Sequence, residues 1–458
     1  MKSFLKVLFF LILFPQMLQA GGPMIVYSDN SGLAQRWADD SVVIYADPGK
    51  LCTNVDNKKA TDWIKEAAAT WNDVLIKPAV DKPELKTSLL IVVYSGTVTD
   101  VSDIDDTNFQ NYFQSNAGPS VIVFDADGSI ISLLGYDVDS IGGLTTPTFS
   151  DNSDKKILRG ISILNGKMLC DSLSKASTAS EQTQIENNFK ALITHEMGHL
   201  LNLDHTQVNL SEAENCNLNG VCDGAQYIST MYPELKTFLQ ANLNMDDQVA
   251  LSSIYPTDDF KKSFCVITGQ LLDADSIGLS GVNVIARQVG EGTSTAKSDA
   301  RSNVSGSFWK ECAGKGKYYL YGIKPGKKYQ VTYEPIASQF VGSYESSFEP
   351  ITNPPQGFTG GLISDKDGNS TVSCGTGGET IEMDVIKVNT TNPCASVLGK
   401  EKVDDTKSAA TPPDGGGSCS MMPLRKFKVS LILILCAIPL VIYRFKFLKK
   451  KGRDEKQD

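Results

Sequence analysis

The chain has 458 residues, 41% of them hydrophobic, and a formal net charge of −10. That length exceeds one average core, so two domains plus tails are expected, and the hydrophobic content is ordinary for a globular protein. An acidic chain is a poor partner for a polyanion, which argues against nucleic acid; the acidity suits solubility or calcium without choosing between them, and oligomeric state stays open.

The N-terminus carries Lys2 and Lys6, an apolar run from Val7 to Phe14, and Leu18-Gln19-Ala20 before two glycines. This pattern predicts a signal peptide over residues 1–20, too short to span a bilayer well and ending on a small residue that suits cleavage. Export gives meaning to the ten cysteines, none of which forms a C-x-x-C pair. In an oxidising compartment they read as disulfides. Cys216 and Cys222 are close enough to staple the insert between His205 and Met231, and Cys52 and Cys170 are the pair that remains before residue 260. Cys265, Cys312, Cys374 and Cys394 fall in the second half, and spacing alone leaves their connectivity open.

After the signal, Ser41-Val42-Val43-Ile44-Tyr45 reads as a strand because β-branched and aromatic residues fit a pleated surface. Residues 60–72 read as a helix, with Trp63, Ala67 and Trp71 on one apolar stripe. Leu89 to Tyr94 and Val121 to Phe124 supply two more short, buried strands. Asp125-Ala126-Asp127-Gly128 follows as an acidic turn. Its carboxylates offer the hard oxygen ligands that calcium (Ca2+) takes, while a plain Asx turn is the commoner explanation.

Between Glu181 and Leu201 the apolar residues Ile185, Phe189, Leu192, Ile193 and Leu200 recur at helical spacing, and this helix carries His195-Glu196-Met197-Gly198-His199. With His205 these are the only three histidines of the chain. Two imidazoles four residues apart stand on one helical face and can share one metal, and Glu196 leans over the same site. Zinc (Zn2+) held by neutral nitrogens lowers the pKa of its bound water to roughly 7, and a neighbouring carboxylate can take the proton as that water attacks a carbonyl. His205 reaches the site only if the chain turns back, and Asn202 stands where the turn is needed; asparagine enters the left-handed region more willingly than any residue but glycine. The plainer alternative is a histidine pair on an ordinary amphipathic helix.

The stretch from His195 to His205 resembles the metzincin signature H-E-x-x-H-x-x-G-x-x-H, with Asn202 in place of the glycine. Ser229-Thr230-Met231-Tyr232-Pro233 resembles the Met-turn of that clan, and Met-Tyr-Pro is similar to the matrixins in particular. The resemblance implies an α+β zincin/metzincin catalytic domain, a twisted mixed sheet with an active-site helix, over residues 21–258. It implies His195, His199 and His205 as zinc ligands, Glu196 as general base, Met231 as a structural floor, and Tyr232 and Pro233 as the start of a substrate pocket wall. It places Gly142 to Phe149 as the edge strand that pairs with a peptide substrate, and Asp246 to Pro256 as the closing helix. Gln35-Arg36-Trp37 before the first strand also fits the start of such a domain. A family-type cysteine switch has no counterpart, since no room for a folded propeptide lies between Ala20 and Trp37.

Past Pro256 short strands alternate with turns at 265–271, 279–286, 306–309, 318–321 and 325–333. The order is similar to the carboxypeptidase regulatory-like, transthyretin-like module, which implies an all-β sandwich domain over 264–388 with an accessory or adhesive role. A linker rich in Thr, Asp, Pro and Gly follows over 389–422. Residues 423–458 hold an apolar run from Val429 to Tyr443 and a basic tail, which reads either as a short transmembrane anchor or as a processed sorting signal near Cys419. Together these features predict an exported, surface-anchored zinc endopeptidase acting on a protein or peptide substrate. The alternative from another class is a catalytically silent adhesion protein with a vestigial metal site.

Overall fold

The computed structural model describes residues 22–27, 29–113, 118–149, 156–216, 222–310, 312–337 and 354–395. The expected signal peptide, most of the linker and the C-terminal apolar segment lie outside the described residues. Among the described residues no helix is long and apolar enough to cross a membrane.

The first half is built on one sheet. Strands β1 (Arg36–Trp37) and β2 (Ser41–Ala46) open it, and a small hairpin, β3 (Leu75–Ile76) with β4 (Leu85–Lys86), stands apart. The sheet continues with β5 (Ile91–Thr97), β6 (Ser120–Asp125), β7 (Gly143–Phe149) and β8 (Lys156–Asn165). Five of its strands are parallel in the order β1-β8-β6-β2-β5, and β7 adds antiparallel on the far edge of β8. Parallel neighbours require long crossovers, and helix α1 (Asn57–Asn72) provides the one between β2 and β5. Asp56 caps that helix by accepting from the Lys59 amide at 2.8 Å, and Trp63, Ala67 and Trp71 lie on its buried face as their spacing predicts. The fold is therefore mixed α/β, with the expected edge strand in place and antiparallel to its neighbour.

Strand β8 is the element the sequence pattern hides. It is buried along nearly its whole length, so period-two alternation is absent, and Arg159-Gly160 interrupts the apolar run. Both residues have structural reasons: the Arg159 Nε donates to the Pro119 carbonyl at 2.8 Å, and a Cβ on Gly160 would strike the Leu200 side chain. The acidic turn after β6 is used locally. Asp125 accepts from the amides of Ile130 and Ile131 at 3.2 and 2.9 Å, and Asp127 from that of Ser129 at 3.0 Å, so these carboxylates organise a short helical turn.

The second half holds two four-stranded sheets. Strands β9 (Cys265–Asp273), β10 (Val282–Val289), β11 (Ala300–Val304), β12 (Lys317–Ile323), β13 (Lys328–Pro335), β14 (Gly361–Ile363), β15 (Thr380–Glu382) and β16 (Ile386–Val388) form them. The first, β11-β10-β13-β14, is antiparallel throughout; in the second, β12 is antiparallel to β9 while β15 and β16 pair with β9 in parallel. The expected strand at 306–309 is instead a turn, with Gly306 at φ 83° and the Trp309 amide bonded to the Gly306 carbonyl at 3.0 Å. Phe308 and Trp309 are apolar for a different reason: they belong to the hydrophobic cluster that also contains Trp37, Trp71 and Met231.

Four disulfides cross-link this framework: Cys52–Cys170, Cys216–Cys222, Cys265–Cys374 and Cys312–Cys394. They fit an oxidising, extracellular compartment. The open question of the second half is answered by first pairing with third and second with fourth. Peptide mapping without reduction is expected to recover Cys265–Cys374 and Cys312–Cys394, and a Cys265–Cys312 peptide would refute the topology. Replacing Cys265 and Cys374 together with serine should lower unfolding free energy by about 2–4 kcal/mol in urea titration, because the closed loop is long.

Candidate metal centre

The three histidines sit at the end of helix α3 (Ala179–Leu200), which follows α2 (Gly166–Lys175). Thr178 and Glu181 start α3 with a reciprocal capping box. Its C-terminal half is buried, and side chains from elsewhere reach its carbonyls. The Trp71 indole donates to the Thr194 carbonyl inside the helix at 2.8 Å; at the end, where carbonyls lack intrahelical partners, the Trp37 indole donates to the Leu200 carbonyl at 2.8 Å and the Tyr255 hydroxyl to the Leu201 carbonyl at 3.1 Å. A helix end buried without such donors would leave orphan carbonyls.

The helix stops at Asn202, which has φ 75°. The Leu203 amide reaches back to the Gly198 carbonyl at 3.0 Å and the Asn202 amide to the His199 carbonyl at 2.9 Å, the paired bonds of a Schellman cap with Asn202 at its left-handed position. Glycine would take that backbone more cheaply, yet the asparagine side chain is fully engaged. Its Oδ1 accepts from the Ile25 amide at 2.8 Å, and its Nδ2 donates to the carbonyls of Ile25 and Gln35 at 2.9 and 2.8 Å. The reversal thereby ties the histidine-bearing helix to the N-terminal segment.

The reversal brings the three rings together. The Nε2 atoms of His195 and His199 lie 3.0 Å apart and those of His199 and His205 3.1 Å apart. All three residues offer ligand atoms within 4.8 Å of one another, a group that could hold a metal ion. The outer nitrogens decide what the inner ones can do. His195 Nδ1 faces the Thr230 carbonyl at 2.7 Å and His199 Nδ1 the Leu203 carbonyl at 2.8 Å, and a carbonyl only accepts, so both Nδ1 atoms carry the hydrogen. Burial lowers the pKa of His195 to about 4, and burial together with the neighbouring His195 lowers that of His199 to about 3, so both rings are neutral at ordinary pH. Two Nε2 lone pairs then face each other at hydrogen-bond distance with no proton between them. A shared cation removes that conflict, and the donor set fits one.

Glu196 is 5% exposed, and burial pushes its pKa up to about 7 against the opposing hydrogen bond from Thr145. Thr145 Oγ1 on β7 lies 2.6 Å from Glu196 Oε2, to which it donates, and 2.8 Å from Ser162 Oγ on β8. The backbone of β7 is equally close: a Cβ on Gly143 would come within 2.7 Å of the Glu196 carboxyl carbon. Met231 is buried under the helix, where a Cβ on Gly198 would collide with its Sδ and would lie 2.8 Å from the Trp71 ring. The turn carrying Met231 is held by Asp247, from helix α4 (Met245–Ile254). Asp247 accepts from the Thr230 and Met231 amides at 2.9 and 3.1 Å and from the Ser229 hydroxyl. Tyr232 is buried in a cluster with Ile228, Ala213 and Val304, and Pro233 is half-buried beside it.

Thr145, Ser162 and Asp247 were not among the residues expected at the site. The Asn244-to-Asp247 capping box offered a local sign of Asp247's position, but nothing near Thr145 in the chain pointed to Glu196. No protein-family model matches the chain, and no curated protein matches it.

Replacing Asn202 separates its two roles. Asn202→Gly keeps the turn and loses three side-chain hydrogen bonds, and Asn202→Ala loses both. Thermal or urea unfolding should rank wild type above the glycine variant and that above the alanine variant. The first step should be about 1–3 kcal/mol, the cost of leaving buried backbone groups unpaired. A glycine variant as stable as wild type would show that the side-chain bonds contribute nothing.

Proposed function

We propose that the protein is an exported zinc endopeptidase of the metzincin type, close to the matrixins in its Met-Tyr-Pro turn. The observation that carries this reading is the convergence of three imidazole Nε2 atoms, two of them on neutral rings, beside a buried carboxylate with one oxygen still free of partners among the described residues. Three imidazole nitrogens suit zinc, which in catalytic sites takes three protein ligands and keeps a fourth position open. Bound there with an open position, zinc would polarise a peptide carbonyl and bring the pKa of a water to roughly 7.

The chain's own groups supply the rest. His195 and His199 keep hydrogen on Nδ1 and lone pair on Nε2 through their backbone carbonyl partners, which fix tautomer and ring angle. Glu196 takes the proton released on attack at Oε1 and delivers it to the departing amine nitrogen, while Thr145 holds Oε2. Strand β7, antiparallel on β8 and an edge strand with Pro147 in it, offers its outer edge to an extended peptide. Met231 provides an apolar floor, and Tyr232 and Pro233 lead into the pocket for the residue after the scissile bond. Export rests on the N-terminal signal pattern with the four disulfides, and surface attachment on residues 423–458.

Casein cleavage by the zinc-loaded chain, with Glu196→Ala beside it, tests the reading. The variant is expected to keep its zinc and to lose roughly 10²–10⁴-fold in rate. Equal cleavage by both proteins would remove Glu196 from the mechanism, and zinc binding with no cleavage of any peptide library by wild type would favour a silent metal-binding protein. His205→Ala should retain less metal after dialysis, read by atomic emission; unchanged zinc content would strike His205 from the ligands.

A further inference from the structure

Two of the three histidines share one rigid helix, whereas His205 stands on connecting chain and needs support from outside it. The residues that follow His205 are held from both sides: the Thr206 amide donates to the Met231 carbonyl at 2.9 Å, while most of their side chains reach the second half of the molecule. Thr206 Oγ1 donates to Asp246 Oδ2 at 2.7 Å and lies 2.9 Å from Ser302 Oγ, while the Ser302 amide on β11 donates to Asp246 Oδ1 at 2.5 Å. Gln207 is wholly buried. Its Nε2 donates to Glu334 Oε1 at 2.7 Å and to the Pro335 carbonyl at 3.0 Å, both on β13, and its Oε1 accepts from the Ala337 amide at 2.9 Å. Val208 packs with Ile285 of β10 and Ala300 of β11 in a small cluster of its own. Asn209 donates to the Lys297 carbonyl at 3.0 Å and accepts from Arg287 of β10, and Lys297 pairs with Glu212 at 2.5 Å. Four consecutive residues after the third histidine are thus held by Asp246 of α4 in the first half and by β10, β11, β13 and the turn of helix at Thr293–Ser298 in the second. The outer nitrogens of His195 and His199, by contrast, meet carbonyls of the first half.

We propose that the β-rich second half is a working part of the metal centre, with Gln207, Asp246 and Ser302 as positioning residues that keep His205 in ligand geometry. The inference rests on the metal-centre reading above. It assigns the second half a role inside the site in place of the accessory role its sequence resemblance implies. A ligand on loosely held chain contributes little, because partners behind the ligands typically govern metal affinity by about 10–100-fold.

The test uses the full chain, loaded with zinc, and compares Gln207→Ala and Ser302→Ala with Lys366→Ala, whose ammonium pairs with Glu382 elsewhere in the second half. Zinc release to a chromophoric chelator is expected to be about tenfold faster in the first two variants and unchanged in the third. In the metal-free chain, amide hydrogen exchange over residues 203–212 should rise in the same two variants, with α3 unaffected. Zinc uptake with wild-type release rates in both clamp variants would overturn the proposal alone, as would an equal acceleration in Lys366→Ala. A wild-type chain that takes up no zinc would overturn it together with the metal-centre reading.

Discussion

A left-handed residue other than glycine is unfavourable by roughly 1–2 kcal/mol, and the centre depends on one such residue being held in place. Asn202 ends α3 one turn past His199, and only that reversal returns the chain to bring His205 beside the other rings. The side chain that makes the conformation tolerable also fastens it, through Ile25 and Gln35, to the segment that precedes β1. Local strain and long-range hydrogen bonding are therefore two aspects of one contact. The departure from the glycine of the metzincin pattern is compensated by bonds that glycine cannot make.

From that turn the support spreads outward in shells. Indoles of Trp37 and Trp71 meet carbonyls along the buried end of α3, Met231 fits the space that the bare Gly198 leaves, and Asp247 holds the turn that presents Met231. The Thr230 carbonyl on the same turn sets the tautomer of His195. One carboxylate on α4 thus governs both the seating of Met231 and the tautomer of His195. This is why the hydrophobic cluster around the helix draws on α1, β2, α3 and the 308–309 turn together: a site of three converging rings tolerates little play in any element behind it.

What the sequence disclosed follows from distance along the chain. The spacing of His195 and His199, the position of Glu196 and the conformation of Asn202 are matters of a few residues, and helical periodicity makes them legible. The strands at 41–46 and 120–125 and the stripe of α1 were legible for the same reason. Strand β8 was not, because a strand buried on both faces carries no alternation and its Arg159 and Gly160 have partners remote in sequence. Thr145 is separated from Glu196 by 51 positions and Gln207 from Glu334 by 127, and no local pattern encodes such pairings. The turn at 306–309 misled in another way: Phe308 and Trp309 have strand-like composition, but they are apolar because they fill the core of the other half.

The hydrogen bonding at Glu196 is set from β7. The Thr145 hydroxyl stands between the carboxylate and β8, 2.6 Å from Glu196 Oε2, to which it donates, and 2.8 Å from Ser162 Oγ. Its bond to the carboxylate offsets part of the burial that raises the Glu196 pKa. Because Thr145 lies on the edge strand proposed to receive a peptide, the same backbone that would align a substrate also orients the Glu196 carboxylate. A substrate that seats poorly on β7 would then disturb the orientation of Glu196 as well as its own carbonyl, so discrimination between peptides would be felt in turnover and not in binding alone.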